Sequence, residues 1–213
     1  MARGTLITIE GLDGAGKTTL AEGLQRELGA RGLDARLLRE PGGVEVSERI
    51  RTLVKDPALD VLPRTEALLY AAARAQLVEQ LVLPLLARGA VVLLDRFVDS
   101  SLAYQGAGRS LGIEDVRSIN LFATGGLSAA RTLLLHISPA GGRARQRARE
   151  SEPDRLERED ERFFAAISAA YAQLARAEPQ RIRVIDAAQA PEQVLADALA
   201  ALGDLALGER SHR

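Results

Sequence analysis

Residues 11–18 have the composition and spacing of a phosphate-binding loop. Their sequence, GLDGAGKT, matches the pattern G-x-x-x-x-G-K-S/T at every fixed position. Glycines let backbone N–H groups curl around an anion, and the N-terminus of a following helix adds a favourable field. The Lys17 ammonium would reach the β- and γ-phosphates, and the Thr18 hydroxyl would ligate Mg²⁺. The alternative is a Gly-rich turn that binds nothing, but the complete pattern favours binding of a nucleoside triphosphate.

A second candidate site begins at Asp95, which ends the apolar run 91–94. A strand ending in an acid would deliver a carboxylate beside the phosphate-binding loop, where Mg²⁺ would lie. The alternative is an Asp that caps the next helix. Arg96 follows, where many ATPase motors carry a Glu that activates water. A guanidinium cannot act as a base but can bridge two phosphates, which favours transfer to a phosphorylated acceptor over hydrolysis.

Alternating strand and helix patterns would position these residues. Leu20, Leu24 and Leu28 recur every four residues, so a helix should begin where the glycines end. The predicted strands are the run 6–9 and residues 35–39, 91–95, 132–137 and 181–186. The predicted helices are 17–31, 46–54, 64–87, 113–123, a charged segment at 142–177, and 191–207. This alternation predicts an α/β fold of the P-loop NTPase type, a five-stranded parallel sheet with helices on both faces.

Two further expectations concern single residues. Pro84 lies late in the predicted helix 64–87 and should kink it or end it early. Lys17 follows the last glycine of the phosphate-binding loop, so we expect its side chain to be exposed.

Composition indicates one domain, which we expect to span residues 1–213 with a disordered tail at about 208–213. The chain has 46% hydrophobic residues and no cysteine, so no disulfide framework exists. A net charge of −1 argues against a nucleic-acid partner and favours a small anionic ligand. A strand pattern starts within five residues of the N-terminus, and no apolar run reaches 18 residues, so we expect a cytoplasmic protein with no membrane partner.

Three more segments follow the phosphate-binding loop in order: 39–43 (REPGG), 68–76 (LLYAAARAQ) and 95–106 (DRFVDSSLAYQG). With the loop, they resemble thymidylate kinases, which phosphorylate dTMP with ATP. The resemblance runs from about Leu6 to Val194. It implies a fold like that of nucleoside monophosphate kinases, ATP and dTMP as substrates, Mg²⁺ as cofactor, dTDP and ADP as products in dTTP synthesis, and a homodimer formed through packed helices.

Carried over to matching positions, the resemblance implies roles for individual residues. ATP would contact Gly11, Leu12, Asp13, Gly14, Ala15, Gly16, Lys17, Thr18, Thr19, Arg145 and Arg149. The acceptor dTMP would contact Asp13, Glu40, Pro41, Tyr70, Arg74, Arg96, Ser100, Ser101, Tyr104 and Gln105. The catalytic residues would be Lys17, Arg96 and Arg149, and the Mg²⁺ ligands Thr18 and Asp95.

Several of these roles are specific. Tyr70 would stack on thymine and Arg74 would meet the base, while Ser100 and Ser101 would read the thymine edge. Tyr104 would crowd a ribose 2′-hydroxyl. Each has an alternative when taken alone: Tyr70 fits an apolar helix core, and the serines are ordinary helix-cap residues.

Arginines recur in a lid that would span about 142–155. A charged run is usually a solvated helix face. Beside a phosphate-binding loop, we favour a mobile lid that brings arginines over the ATP phosphates. Arg145 and Arg149 are four residues apart and would share a helix face. Because Gly14 and Ala15 supply no arginine within the loop, the chain resembles those relatives that carry it in the lid.

Two other functions remain open at this point. One is another P-loop kinase of a small acceptor, such as a deoxynucleoside, in which a carboxylate near the loop deprotonates a sugar hydroxyl. Two candidate acceptor arginines, Arg74 and Arg96, argue instead for a phosphorylated acceptor. The other is a nucleotide-dependent switch, which the lack of an N-K-x-D guanine motif and of a catalytic Glu after Asp95 disfavours.

Overall fold

The computed structural model describes residues 4–148 and 154–207, and five strands within them form one parallel sheet. The strands are β1 (Thr5–Gly11), β2 (Ala35–Arg39), β3 (Val91–Asp95), β4 (Arg131–His136) and β5 (Ile182–Asp186). Their order in the sheet is β2-β3-β1-β4-β5. The predicted α/β fold with a five-stranded parallel sheet is therefore confirmed. The tail predicted at about 208–213 lies outside the described residues.

Helices connect the strands. Their bounds are α1 (Lys17–Ala30), α2 (Glu45–Lys55), α3 (Pro63–Leu77), α4 (Leu83–Ala87), α5 (Val98–Ser101), α6 (Ile113–Thr124), α7 (Pro139–Arg147), α8 (Glu161–Ala177) and α9 (Pro191–Ala200). Two π-helical segments, Val78–Val82 and Leu102–Gly108, continue α3 and α5. Within the described ranges, none of these helices combines the length and apolar character that a membrane crossing requires.

Three helix predictions need correction. The helix predicted at 191–207 ends at Ala200. The predicted segment 142–177 is two helices, because Asp160 caps the start of α8, its carboxylate accepting a hydrogen bond from the Phe163 N–H at 2.9 Å. The predicted helix 64–87 does not end early at Pro84, but it is not a regular α-helix throughout. It passes into a π-helical turn at Val78–Val82 just before Pro84, where proline removes one backbone donor and crowds the preceding turn.

The sheet is buried on both faces. Along β1, Ile7 and Ile9 pack with α1 and α8, whereas Leu6 faces the cluster formed by the π-helical turn and α4. Along β3, side chains alternate in the same way. Nearly continuous apolar strands are typical of a parallel sheet covered by helices on both sides.

The strand order brings the predicted site segments together. β1 pairs with β3 so that Ile9 lies beside Asp95, and the Arg96 N–H donates to the Ile9 carbonyl at 3.0 Å. The Glu40 N–H donates to the Asp95 carbonyl at 2.9 Å. The segments that follow β1, β2 and β3 therefore meet at the carboxyl edge of the sheet, where ligands of α/β proteins usually bind.

Candidate active site

The phosphate-binding loop joins β1 to α1 through glycines in conformations that other residues rarely adopt. Gly11, Gly14 and Gly16 have φ values of 139°, 81° and 91°. A Cβ atom on Gly14 would lie 2.3 Å from the carbonyl oxygen of Gly142, in the first turns of α7. The loop therefore bends as an anion cradle requires, and it lies against the start of the predicted lid.

Lys17, the first residue of α1, is only 8% exposed, so the expectation of an exposed side chain is wrong. Its ammonium turns back over the loop and donates to the carbonyls of Gly11 and Leu12 at 3.1 and 2.9 Å. Burial, together with the nearby charge of Arg96, lowers the pKa of Lys17 to about 8.

The two predicted magnesium ligands are neighbours. The Thr18 hydroxyl donates to Asp95 Oδ2 at 3.2 Å, at the N-terminus of α1 and the end of β3. Among the described residues, no group of three or more His, Cys, Asp or Glu side chains could hold a metal. The Thr18 hydroxyl and the Asp95 carboxylate together suit Mg²⁺, which commonly binds through one or two protein oxygens together with substrate phosphates and water.

The Arg96 guanidinium is held over the loop, where it donates to the Gly11 carbonyl at 3.3 Å, and by further contacts with three side chains. It forms an ion pair with Asp13 and donates to Ser100 Oγ at 3.1 Å and to the Tyr104 hydroxyl at 3.2 Å. It also lies 4.9 Å from the centre of the Tyr104 ring. The residue itself has a φ of 70°, a left-handed conformation that is strained for a residue with a side chain.

The Asp13 carboxylate lies between two cations, Arg96 and Lys17. It pairs with Arg96, lies 3.6 Å from the Lys17 ammonium, and accepts a hydrogen bond from the Tyr104 hydroxyl at 3.1 Å. Burial alone would raise the pKa of Asp13, but Arg96 and Lys17 outweigh it and hold the pKa well below its usual range. The Asp13 carboxylate therefore brings the two cations together at one point beside the phosphate-binding loop.

Arg74 of α3 is fixed at the far side of a cleft of about 630 Å³. It is 2% exposed, pairs with Glu40 at 2.6 Å, and donates to Ser101 Oγ and to the Phe97 carbonyl, both at 2.9 Å. It also donates to the amide oxygen of Asn120. These contacts within the described ranges use four of its five N–H groups, which leaves one donor for a ligand.

Glu40, at the end of β2, is 5% exposed. Burial raises its pKa to about 7, and the pairing with Arg74 opposes that rise. Its Oε1 atom is buried without a hydrogen-bond partner among the described residues. The Glu40 carboxylate thus binds Arg74 through one oxygen only, Oε2.

Ser100 and Gln105 are turned toward neighbouring protein groups. Ser100 Oγ donates to Glu10 Oε2 at 2.5 Å and accepts the hydrogen bond from Arg96. The Gln105 amide donates to Glu66 at 2.8 Å. These contacts favour a supporting function for both residues, and their direct contact with a base stays a prediction.

Most of the predicted site residues line the cleft. They are Asp13, Gly14, Gly16, Lys17, Thr18, Glu40, Pro41, Tyr70, Arg74, Asp95, Arg96, Ser100, Ser101, Tyr104 and Gln105. Gly11, Leu12 and Ala15 are buried behind this lining, and Thr19 and Arg145 are exposed outside it. Arg149 lies outside the described residues.

Only part of the predicted lid is described. Arg143 of α7 pairs with Glu161 at 2.7 Å. Beyond the gap, Asp154 pairs with Lys55 and Arg155 pairs with Glu66, each at 2.6 Å. The last residues of the predicted lid, Asp154 and Arg155, are therefore anchored to α2 and α3, whereas α7, at its start, rests on the phosphate-binding loop.

Sequence reasoning missed several residues around the cleft. Arg51 and Lys55 line it and lie four residues apart on α2, a spacing that could have identified them. Asn120 supports Arg74 from α6, and nothing in its local sequence indicates this. Glu10 is a charged residue within an apolar strand, directly before the first glycine of the loop, and that contrast was an available signal.

Comparison with known proteins agrees with the geometry. The sequence model of the family described as Thymidylate kinase matches residues 9–198. The thymidylate kinase of Deinococcus radiodurans is 46% identical over 204 residues, which cover 96% of this chain and 98% of the relative. That of Oenococcus oeni is 49% identical over 204 residues, covering 93% and 95%.

A solved structure shows the same fold. The crystal structure of thymidylate kinase from Ehrlichia chaffeensis matches with a TM-score of 0.78, covering 94% of this chain and 98% of that one. Its sequence identity is 24%, so this likeness concerns the fold alone.

The close approach of Gly14 to Gly142 gives a test of the loop. Gly14→Ala should destabilise the protein by about 2 kcal/mol, because the new methyl group meets a backbone carbonyl and the φ is left-handed. The matched control is Gly29→Ala in α1, where an added Cβ meets nothing within 4 Å. There the better helix former should stabilise by about 0.5–1 kcal/mol. Urea unfolding measures both, and wild-type stability for Gly14→Ala would show that α7 does not rest on the loop.

Proposed function

Because this chain belongs to the thymidylate kinase family, we propose that it transfers the γ-phosphoryl group of ATP to dTMP, forming dTDP and ADP. The observation that carries the proposal is the convergence of two phosphate-binding cations, Lys17 and Arg96, on the single carboxylate of Asp13. Lys17 belongs to the phosphate-binding loop, and Arg96 follows the adjacent strand β3 and lies against that loop. A donor and an acceptor phosphate would thus be held side by side.

The chemistry follows from the charge of the acceptor. A phosphate monoester has a second pKa near ~6, so dTMP is largely dianionic at neutral pH and needs no general base. We assign Lys17 to the ATP phosphates and Arg96 to the acceptor phosphate, so that both cations align the anions and neutralise charge that develops during transfer. Thr18 and Asp95 would hold Mg²⁺, and the ion would supply positive charge that offsets the charge of the phosphates.

The far wall of the cleft is proposed to select the nucleoside. Arg74 has one N–H left for an acceptor on the base, and the Ser101 hydroxyl lies beside it. Tyr70 also lines this wall, which supports its proposed stacking on thymine. Tyr104 packs edge-on against Phe163 with ring centres 6.1 Å apart, so its ring is held firmly where it would exclude a 2′-hydroxyl.

The role of the lid arginines is inferred from the sequence and from its resemblance to thymidylate kinases. We propose that Arg149 and Arg145 approach the ATP phosphates and that Arg149 stabilises charge during transfer. In support, the first turns of α7 contact the phosphate-binding loop at Gly14.

The alternative of a deoxynucleoside kinase is disfavoured by the relatives of this chain. Those 46% and 49% identical to it over nearly their whole length are thymidylate kinases. Two cleft arginines, Arg74 and Arg96, also favour a phosphorylated acceptor over an uncharged nucleoside. A nucleotide switch does not explain why a second group of cleft residues is built around Arg74.

We also propose a cytoplasmic homodimer without membrane or nucleic-acid partners. Its support is an apolar surface on α3 and α6, which pack together and expose Leu68 by 56%, Leu121 by 63% and Phe122 by 92%. Large exposed apolar side chains in one region mark an interaction surface. Sedimentation at twice the 22.8 kDa chain mass would support the dimer, and sedimentation as a monomer would refute it.

The function is tested by a substrate panel with ATP and Mg²⁺. dTMP should be the best acceptor and dUMP a poorer one, since one methyl group in a pocket is worth about 1–3 kcal/mol. dCMP, with a reversed donor and acceptor edge, and thymidine, without a phosphate, should be nearly inert. Removal of Mg²⁺ and the Lys17→Ala variant are the negative controls. Faster turnover of thymidine than of dTMP would contradict the proposal.

Tyr104 gives a test of sugar selection. Tyr104→Ala should reduce the preference for dTMP over 5-methyl-UMP by about tenfold or more, because it removes a steric block. The matched control is Tyr104→Phe, which keeps the ring and should keep the preference. Burial of Tyr104 means that the alanine variant also loses about 3–5 kcal/mol of stability, so kcat/KM is measured at low temperature. An unchanged preference in Tyr104→Ala would show that this ring is not the sugar filter.

A further inference from the structure

Glu10 is a buried carboxylate at the base of the site to which the proposed reaction assigns no task. It lies in β1 directly before Gly11 and is 0% exposed. Oε1 accepts hydrogen bonds from the backbone N–H groups of Phe97 at 2.8 Å and Ser100 at 3.3 Å. Oε2 accepts from Ser100 Oγ at 2.5 Å and the Tyr171 hydroxyl at 2.8 Å.

These contacts reach Arg96 through Ser100. A serine hydroxyl has one proton to donate, and Ser100 Oγ donates to Glu10 Oε2 at 2.5 Å, while the Tyr171 hydroxyl lies 3.0 Å from the same Oγ. The lone pairs of Ser100 Oγ are then free to accept from Arg96 Nη1 at 3.1 Å. Glu10 therefore sets the direction of the hydroxyl that supports the Arg96 guanidinium.

The same carboxylate holds the backbone on the other side of Arg96. Arg96 has a φ of 70°, a conformation that persists only when its surroundings impose it. Its N–H is bonded to the Ile9 carbonyl at 3.0 Å, and the next N–H, that of Phe97, is bonded to Glu10. Two consecutive residues of β1 thus fix the strained residue from both ends.

The hydrogen bonds of Glu10 differ from those of the nearby buried carboxylate of Asp99. Asp99 forms a two-point ion pair with Arg181, at 2.6 and 2.9 Å. The four donors to Glu10 are two backbone amides and two hydroxyls. A fully buried carboxylate held by neutral donors is costly to retain, and burial raises its pKa. Such a cost is typical of functional sites.

We propose that Glu10 is a positioning residue for acceptor recognition, which acts through Ser100 and the Phe97 backbone to aim Arg96 at the phosphate of the acceptor nucleotide. This inference rests on the proposed function of Arg96. It requires that loss of Glu10 weaken recognition of the acceptor phosphate and leave recognition of the nucleoside intact.

Calorimetric titration with dTMP and with thymidine separates these two quantities, because the ligands differ only in the phosphate. The test variant is Glu10→Gln, whose amide nitrogen cannot accept the bonds at one end of the group. The matched control is Thr8→Val, two residues earlier in β1, which removes an equally buried hydroxyl bonded to Thr132 at 2.7 Å. Arg96→Ala and the double variant Glu10→Gln/Arg96→Ala complete a cycle.

Glu10→Gln should weaken dTMP binding by about tenfold or more, the worth of a charge-assisted hydrogen bond, and change thymidine binding less than about threefold. Thr8→Val should leave the ratio of the two affinities at the wild-type value. In the Arg96→Ala background, Glu10→Gln should have no further effect on that ratio. A wild-type ratio in Glu10→Gln, or an equal loss in the absence of Arg96, would overturn the proposal.

If Glu10→Gln does not fold, Tyr171→Phe provides the same test. It removes one donor to Glu10 and should reduce the dTMP-to-thymidine ratio by about two- to fivefold. An unchanged ratio would again overturn the inference. Failure of the underlying function is distinguishable, because then Arg96→Ala itself would leave the ratio unchanged.

Discussion

The ion pair between Asp13 and Arg96 is the interaction on which the site depends. It joins the phosphate-binding loop, which follows β1, to the residue that follows β3, and the Lys17 ammonium lies 3.6 Å from the same carboxylate. Parallel pairing of β1 with β3 makes this contact possible, because it places Ile9 beside Asp95. One carboxylate thus holds two cations close together at the carboxyl edge of the sheet.

Ion pairs between residues that are far apart in the sequence hold the walls of the cleft in place. Glu66 of α3 pairs with Arg155, and Glu40, the residue after β2, pairs with Arg74. The start of α7 lies against Gly14. The described residues before and after the gap at 149–153 thus contact the phosphate-binding loop on one side and α2 and α3 on the other.

Local patterns in the sequence predicted much of this arrangement. Apolar runs and glycine spacing identified the five strands and the phosphate-binding loop, because both depend on neighbouring residues. The burial of Lys17 was not predicted, since its ammonium binds carbonyls of its own loop. The supports of Arg96 and Arg74, Glu10 and Asn120, were also missed. These residues act through contacts between segments that are far apart in the sequence, and such contacts leave no spacing pattern that could predict them.

The most direct measurement compares the thermal stability of wild type and Asp13→Asn, with and without inorganic pyrophosphate at matched ionic strength. Without pyrophosphate, the variant should be less stable by about 1–3 kcal/mol, because Arg96 and Lys17 lose their shared, partly exposed counter-charge. Pyrophosphate should then raise its melting temperature more than that of wild type, since the anion replaces the missing carboxylate. Equal stability of the two proteins and equal shifts with pyrophosphate would contradict the claim that Asp13 holds two phosphate-binding cations.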